Sequence, residues 1–166
     1  MHEAVSGIAS PRLQRQTSSR AMTAAALHLA PPVSLAPAAG LAADLTSATW
    51  IADRAVKALL AELAAWPKPG LVSYVDTGSH RDMNAALLET SARSLHPFFA
   101  ELVLAGQRDA PMDELREIGM RAEAAMLTVT GGVNTHRGAI FGLGLLCAAA
   151  GRQAGTHGAQ DRGARR

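Results

Sequence analysis

The chain has 166 residues, enough for one domain with a buried core and too few to promise two; 48% of them are apolar but only 4% aromatic. Its formal net charge of +2 divides unevenly, with three Arg and one Glu in residues 1–41, nine Lys/Arg against twelve Asp/Glu in 42–151, and four Arg against one Asp in 152–166, so the central part is acidic and excludes a basic nucleic-acid groove. The lone Cys147 excludes an internal disulfide framework and suits a cytoplasmic protein, and no run reaches the ~18 apolar residues of a membrane span.

Alanine and leucine dominate the apolar share, and both are strong helix formers, so an all-α helical bundle with disordered N- and C-terminal tails is expected. Residues 1–43 mix Ser, Arg, Pro and Ala without periodicity and read as a disordered leader. Within it, "RAMTAAALHLAPPVSLAPAAGLAA" resembles a signal peptide, but His28 and the Pro31–Pro32 pair interrupt its apolar region.

From Asp44 the pattern changes. Ile51, Ala55, Leu59 and Leu63 recur four apart, with Val56 and Leu60 beside them, and predict a first helix through Trp66 that Pro67 stops. After a long polar connection, a second helix is predicted from Asp82 to Ala105, with Leu87, Leu88, Ser91 and Leu95 inward and Pro97 kinking or dividing it. Pro111 opens a third, striped by Leu115, Ile118, Ala122, Met126 and Val129. A fourth is predicted from His136 to Ala150, with Gly151 as its cap and Cys147 as a small buried apolar group. The domain therefore spans 44–151, and residues 152–166 read as a disordered basic tail.

Three loops concentrate the chemistry. In "WPKPGL", Lys68 stands between two prolines on a stiff backbone and Gly70 permits close approach, either to serve a ligand or merely as a helix-ending loop with a solvated lysine. In "DTGSHRDM", His80 and Asp82 form an acid–base or metal-binding pair, or Asp82 caps the next helix; no further His or Cys lies at zinc-ligand spacing nearby. In "TGGVNTHRGAIF", Gly131 and Gly132 free backbone amides at the positive end of a helix, and Asn134, His136 and Arg137 follow at once. That combination suits an anion such as phosphate, with Arg137 as a planar fork of donors and His136 able to move a proton.

At these loops the sequence resembles the triphosphoribosyl-dephospho-coenzyme A synthase family. The resemblance rests on "PKPGLV", "GSHRDM", "SARSLHPFF" and "AEAAMLTVTGGVNTHRGAIFGLGLL", in that order, over about residues 50–151. It implies a transferase that joins the triphosphoribosyl group of ATP to 3′-dephospho-CoA with release of adenine. The product is the prosthetic-group precursor for the acyl carrier protein of malonate decarboxylase or citrate lyase, and the "GGVNTHRGAIFGLGLL" stretch leans to the former.

For that reaction Lys68, Gly70, Gly131, Gly132, Asn134 and Arg137 are expected to hold ATP phosphates, and Asp82, His136 and His80 to carry the chemistry. Mg2+ is expected on Asp82 and Glu123, although Glu123 equally suits a solvent face; Glu62, one turn before the first loop, is a similar candidate. The three loops are expected to converge, with the helices before "PKPGL" and "GGVNTHRG" side by side. After Gly151 the chain departs from the family, so a shortened copy is expected, self-associating through an apolar face left open. The competing reading is a nucleotide-binding module or an inactive helical fragment that works through partner association.

Overall fold

The computed structural model describes residues 36–164, with side chains at 40–156. Five helices follow in order: α1 (Ala36–Ala64), α2 (Ala85–Ser94), α3 (His96–Gln107), α4 (Met112–Val129) and α5 (Arg137–Ala164). No strand occurs among the described residues, as the absence of period-two alternation predicts.

The boundaries follow local chemistry. The long central segment divides at Leu95, and Pro97 falls in the first turn of α3, where its missing N–H costs little. Pro111 is extended and precedes α4, and Asp113 and Glu114 favour that helix's positive end. Asp82 does not cap α2. The chain stays non-helical up to Asn84, whose side chain accepts from the Leu87 amide at 3.0 Å, so the cap falls two residues later.

Both expected tails need correction where they are described. Residues 36–43 are helical, because the alanine-rich "APAAGLAA" extends α1 toward the N-terminus and Pro37 sits in its first turn. The leader expected over residues 1–35 lies outside the described residues. At the other end α5 does not stop at Gly151 but continues to Ala164. Gly151 is buried against α3: a Cβ there would lie 2.0 Å from the Val103 carbonyl oxygen. Gly106 and Gly155 repeat the arrangement against Ala148 and Gln107. These glycines let two backbones approach closely, which a terminating glycine does not do.

α3 is the central element. It packs on α1, α4 and α5, and it separates α1 from α4, which are not packed on one another. The expectation that the helices before the first and third loops run side by side therefore fails, since the most apolar helix takes the middle place. Phe99, Leu102, Val103 and Ala105 of α3 meet Ala52, Ala55 and Val56 of α1, Ile118, Ala122 and Met126 of α4, and Ile140 and Cys147 of α5. Burial pushes the Cys147 thiol up to about 11, consistent with an inert packing role. Polar ties cross the same seams: His96 Nε2 lies 3.0 Å from Asp53 of α1, and Arg121 Nη2 lies 2.5 Å from Glu101 of α3. Met112, Met120, Phe141 and Leu146 remain exposed on α4 and α5, and the stripe residue Val129 is also exposed.

Candidate active site

Where α1 ends, Lys68 turns back onto the helix. Its ammonium donates to the Glu62 carbonyl at 2.6 Å and to the Glu62 carboxylate at 2.9 Å, and its side chain is only 11% exposed. A cation placed on the C-terminal carbonyls of a helix meets the negative end of the dipole. Lys68 is thus neither a solvated lysine nor an unengaged one, and one of its three donors remains for a ligand.

The second loop folds over the first. Gly70 and Gly78 both have positive φ, and a Cβ on Gly78 would lie 2.5 Å from the Gly70 carbonyl carbon. The Ser79 amide donates to the Gly70 carbonyl at 3.1 Å. So the close approach that Gly70 permits is made by the chain itself. Ser73 and Asp76 lock the connection: the Ser73 hydroxyl accepts from the Val75 and Asp76 amides, and the Asp76 carboxylate accepts from Gly78 at 2.8 Å. Between the two loops lies an open hollow of about 420 Å³, bordered by Pro67, Lys68, Gly70, Asp76 and Ser79. His80, half-buried, and Asp82, exposed, stand 3.8 Å apart in the same segment.

In the third loop the glycines do something other than expected. Gly131 and Gly132 take positive φ, and the Gly132 amide donates to the Leu127 carbonyl at 2.8 Å, so it closes the C-terminus of α4. The Asn134 side-chain oxygen Oδ1 accepts from the Arg137 amide at 3.2 Å and caps α5. Arg137 pairs across to Glu123 on α4, beside an apolar groove of about 300 Å³ between α3, α4 and α5. The two expected ligands of phosphate and metal thus neutralise each other. Asp82 and Glu123 each have a different partner, and among the described residues no cluster of three His, Cys, Asp or Glu side chains forms.

His136 sits at the junction of elements. Its Nδ1 is 2.8 Å from the Ser91 hydroxyl of α2, and its amide donates to the Met126 sulfur of α4 at 3.1 Å. Burial holds the imidazole below the usual histidine range, and the Glu62 carboxylate pulls in the opposite sense. Glu62 therefore links Lys68 of the first loop to His136 of the third. His136 and Lys68 share this end of the bundle, while Arg137 and Glu123 lie along the groove. Two participants are new. Ser91 was legible only as an inward-facing position, and Ser73 gave no sequence signal beyond its place in a turn-rich segment.

The fold and site define an all-α domain in which a half-buried histidine, its charged form disfavoured by burial, feels a carboxylate that also holds a lysine. The match to known proteins is more specific. The family model described as CitG, ATP:dephospho-CoA triphosphoribosyl transferase, matches residues 48–165, and the chain belongs to this family. It is 47% identical over 118 residues to the Haemophilus influenzae protein named "Protein CitXG", covering 68% of this chain and 25% of that one. To the 2-(5''-triphosphoribosyl)-3'-dephosphocoenzyme-A synthase of Pectobacterium atrosepticum it is 46% identical over 107 residues, 61% of this chain and 36% of the other. To the probable synthase of Pseudomonas aeruginosa it is 48% identical over 118 residues, 68% of this chain and 40% of the other. The chain thus spans between 25% and 40% of the length of these relatives. No solved structure matches it.

Proposed function

We propose that this chain takes part in transfer of the triphosphoribosyl group of ATP to 3′-dephospho-CoA, making the prosthetic-group precursor of malonate decarboxylase or citrate lyase in the cytoplasm. The observation that carries the reading is His136, whose charged form burial disfavours and which feels the Lys68–Glu62 pair through Glu62, in a chain of this family. In the reaction a ribose hydroxyl of dephospho-CoA forms a bond to the ATP ribose carbon that bears adenine. The bond to adenine breaks and adenine leaves with its electron pair. His136 accepts the hydroxyl proton, a role that requires a neutral imidazole at the working pH.

The third donor of Lys68, with the Gly70 loop around it, is offered to the triphosphate. Gly131, with no neighbour crowding it, lies at the surface of the third loop. The Gly132 amide is taken up by the Leu127 carbonyl, whereas Asn134 caps α5 through Oδ1 and keeps its side-chain NH2 for a phosphate oxygen. Asp82, exposed and only loosely engaged by His80, would hold a magnesium ion, whereas Glu123 is engaged by Arg137. Magnesium, when bound, neutralises phosphate charge. His80 borders the same loop as a secondary proton carrier.

Incubation of the chain with ATP and 3′-dephospho-CoA is expected to release adenine, measured chromatographically, only when both substrates are present. ATP binding with no adenine would refute transfer and leave the nucleotide-binding reading.

The same proposal includes self-association through Met112, Met120, Phe141 and Leu145, exposed large apolar groups that border the groove between α3, α4 and α5. Light scattering should give about twice the chain mass, as for the closed dimer that is commonest among oligomers. Phe141→Asp should return it to that of a single chain. A single-chain mass for the unmodified protein would remove this part.

A further inference from the structure

We infer that Ser91, backed by Thr135, is a positioning residue: it grips the His136 ring at Nδ1 and leaves Nε2 as the one nitrogen that exchanges a proton with substrate. The catalytic meaning of this rests on the transferase reading above; the geometry does not.

Ser91 lies within α2 and is 0% exposed. A buried hydroxyl is costly unless it is hydrogen-bonded, and a helical Ser or Thr ordinarily returns its hydroxyl to the carbonyl four residues back. Thr46, Thr49, Thr90 and Thr128 all do so in this chain. Ser91 does not. Its hydroxyl instead reaches across to the third loop, 2.6 Å from Thr135 Oγ1 and 2.8 Å from His136 Nδ1.

With one proton and two partners, the Ser91 hydroxyl either accepts from Nδ1 and donates to Thr135, or donates to Nδ1 and accepts from Thr135. Each arrangement goes with a different imidazole tautomer, and the general-base role proposed above takes the first, in which Nδ1 carries the proton and Nε2 does not. Nε2 is the nitrogen left over. Among the described residues Nε2 makes no hydrogen bond. The charged group that bears on the ring is Glu62 at the end of α1, itself paired with Lys68; Arg137, next in sequence, is turned to Glu123 on α4.

The test is a two-bond proton–nitrogen correlation spectrum of the full chain carrying 15N-histidine, with the His136 signal identified by its loss in His136→Gln. The unmodified protein should show one neutral tautomer at His136, and Ser91→Ala should convert it to an exchanging mixture. Ser91→Cys, nearly equal in size and poor at hydrogen bonding, should do the same if the alanine variant folds badly. Adenine release by either variant should fall about tenfold, the size typical of losing an orienting partner, with KM for ATP little changed. A tautomeric mixture in the unmodified protein, or an unchanged single tautomer in a folded Ser91 variant, overturns the inference. Absence of adenine release alongside the expected spectra overturns the transferase reading and leaves the positioning role standing.

Discussion

Replacing His136 with glutamine is expected to slow adenine release by roughly 10²–10⁴-fold, the usual contribution of a general base, while the helical spectrum is kept. Glutamine places a polar amide near the position of Nε2 but has no basic nitrogen to take the ribose hydroxyl's proton. The pH dependence follows from the same environment. Burial keeps the imidazole below the usual histidine range, so the neutral form persists to lower pH than in a free histidine, against the opposing pull of Glu62. Release should hold at pH 7 and decline on acidification below about 6.5, the ordinary histidine value. The sign for stability agrees. A folded pKa below the unfolded one means that the unfolded chain binds more protons between the two values. Folding free energy is therefore lost as pH falls through that window and is fully present above it. Rates measured across pH for both forms test this, and a loss smaller than roughly tenfold would remove His136 from the chemistry.

The second large effect concerns the α3–α5 contact. In an exposed helix interior, Gly→Ala stabilises by about 0.5–1 kcal/mol, because glycine sacrifices more backbone freedom on folding. A Cβ added to Gly142 of α5 would meet nothing within 4 Å, so Gly142→Ala should raise the denaturant midpoint. Gly151→Ala should do the reverse. Its Cβ would sit 2.0 Å from the Val103 carbonyl oxygen, a backbone atom that cannot swing aside. The helices must separate, and overpacking of this kind costs about 1–3 kcal/mol, more than the propensity gain returns. Opposite shifts from the same substitution nine residues apart on one helix would establish the close packing. A rise in the midpoint for Gly151→Ala would show that the contact does not exist.

What the sequence by itself determined is the local order of the chain. Apolar recurrence at three and four residues marked α1 and α4, Pro97 marked a kink or division and Pro111 a helix start, and an alanine-rich, strand-poor composition excluded a sheet. These signals are legible because helix formation and proline geometry act between near neighbours. The motif-bearing loops were legible for the same reason, as runs of residues whose order along the chain distinguishes the family.

Tertiary structure alone decided how those residues are used. Gly151 carries an ordinary helix-end signal, and only the approach of α3 turns it into a packing surface. Arg137 and Glu123 each suited a phosphate or a metal until packing of α5 on α4 brought their opposite charges together. Ser91 and His136 lie 45 positions apart, and no periodicity relates them. Such pairings depend on which helix takes the middle of the bundle. That choice is made by the summed burial of several apolar faces, to which no short stretch of sequence contributes enough to reveal the outcome.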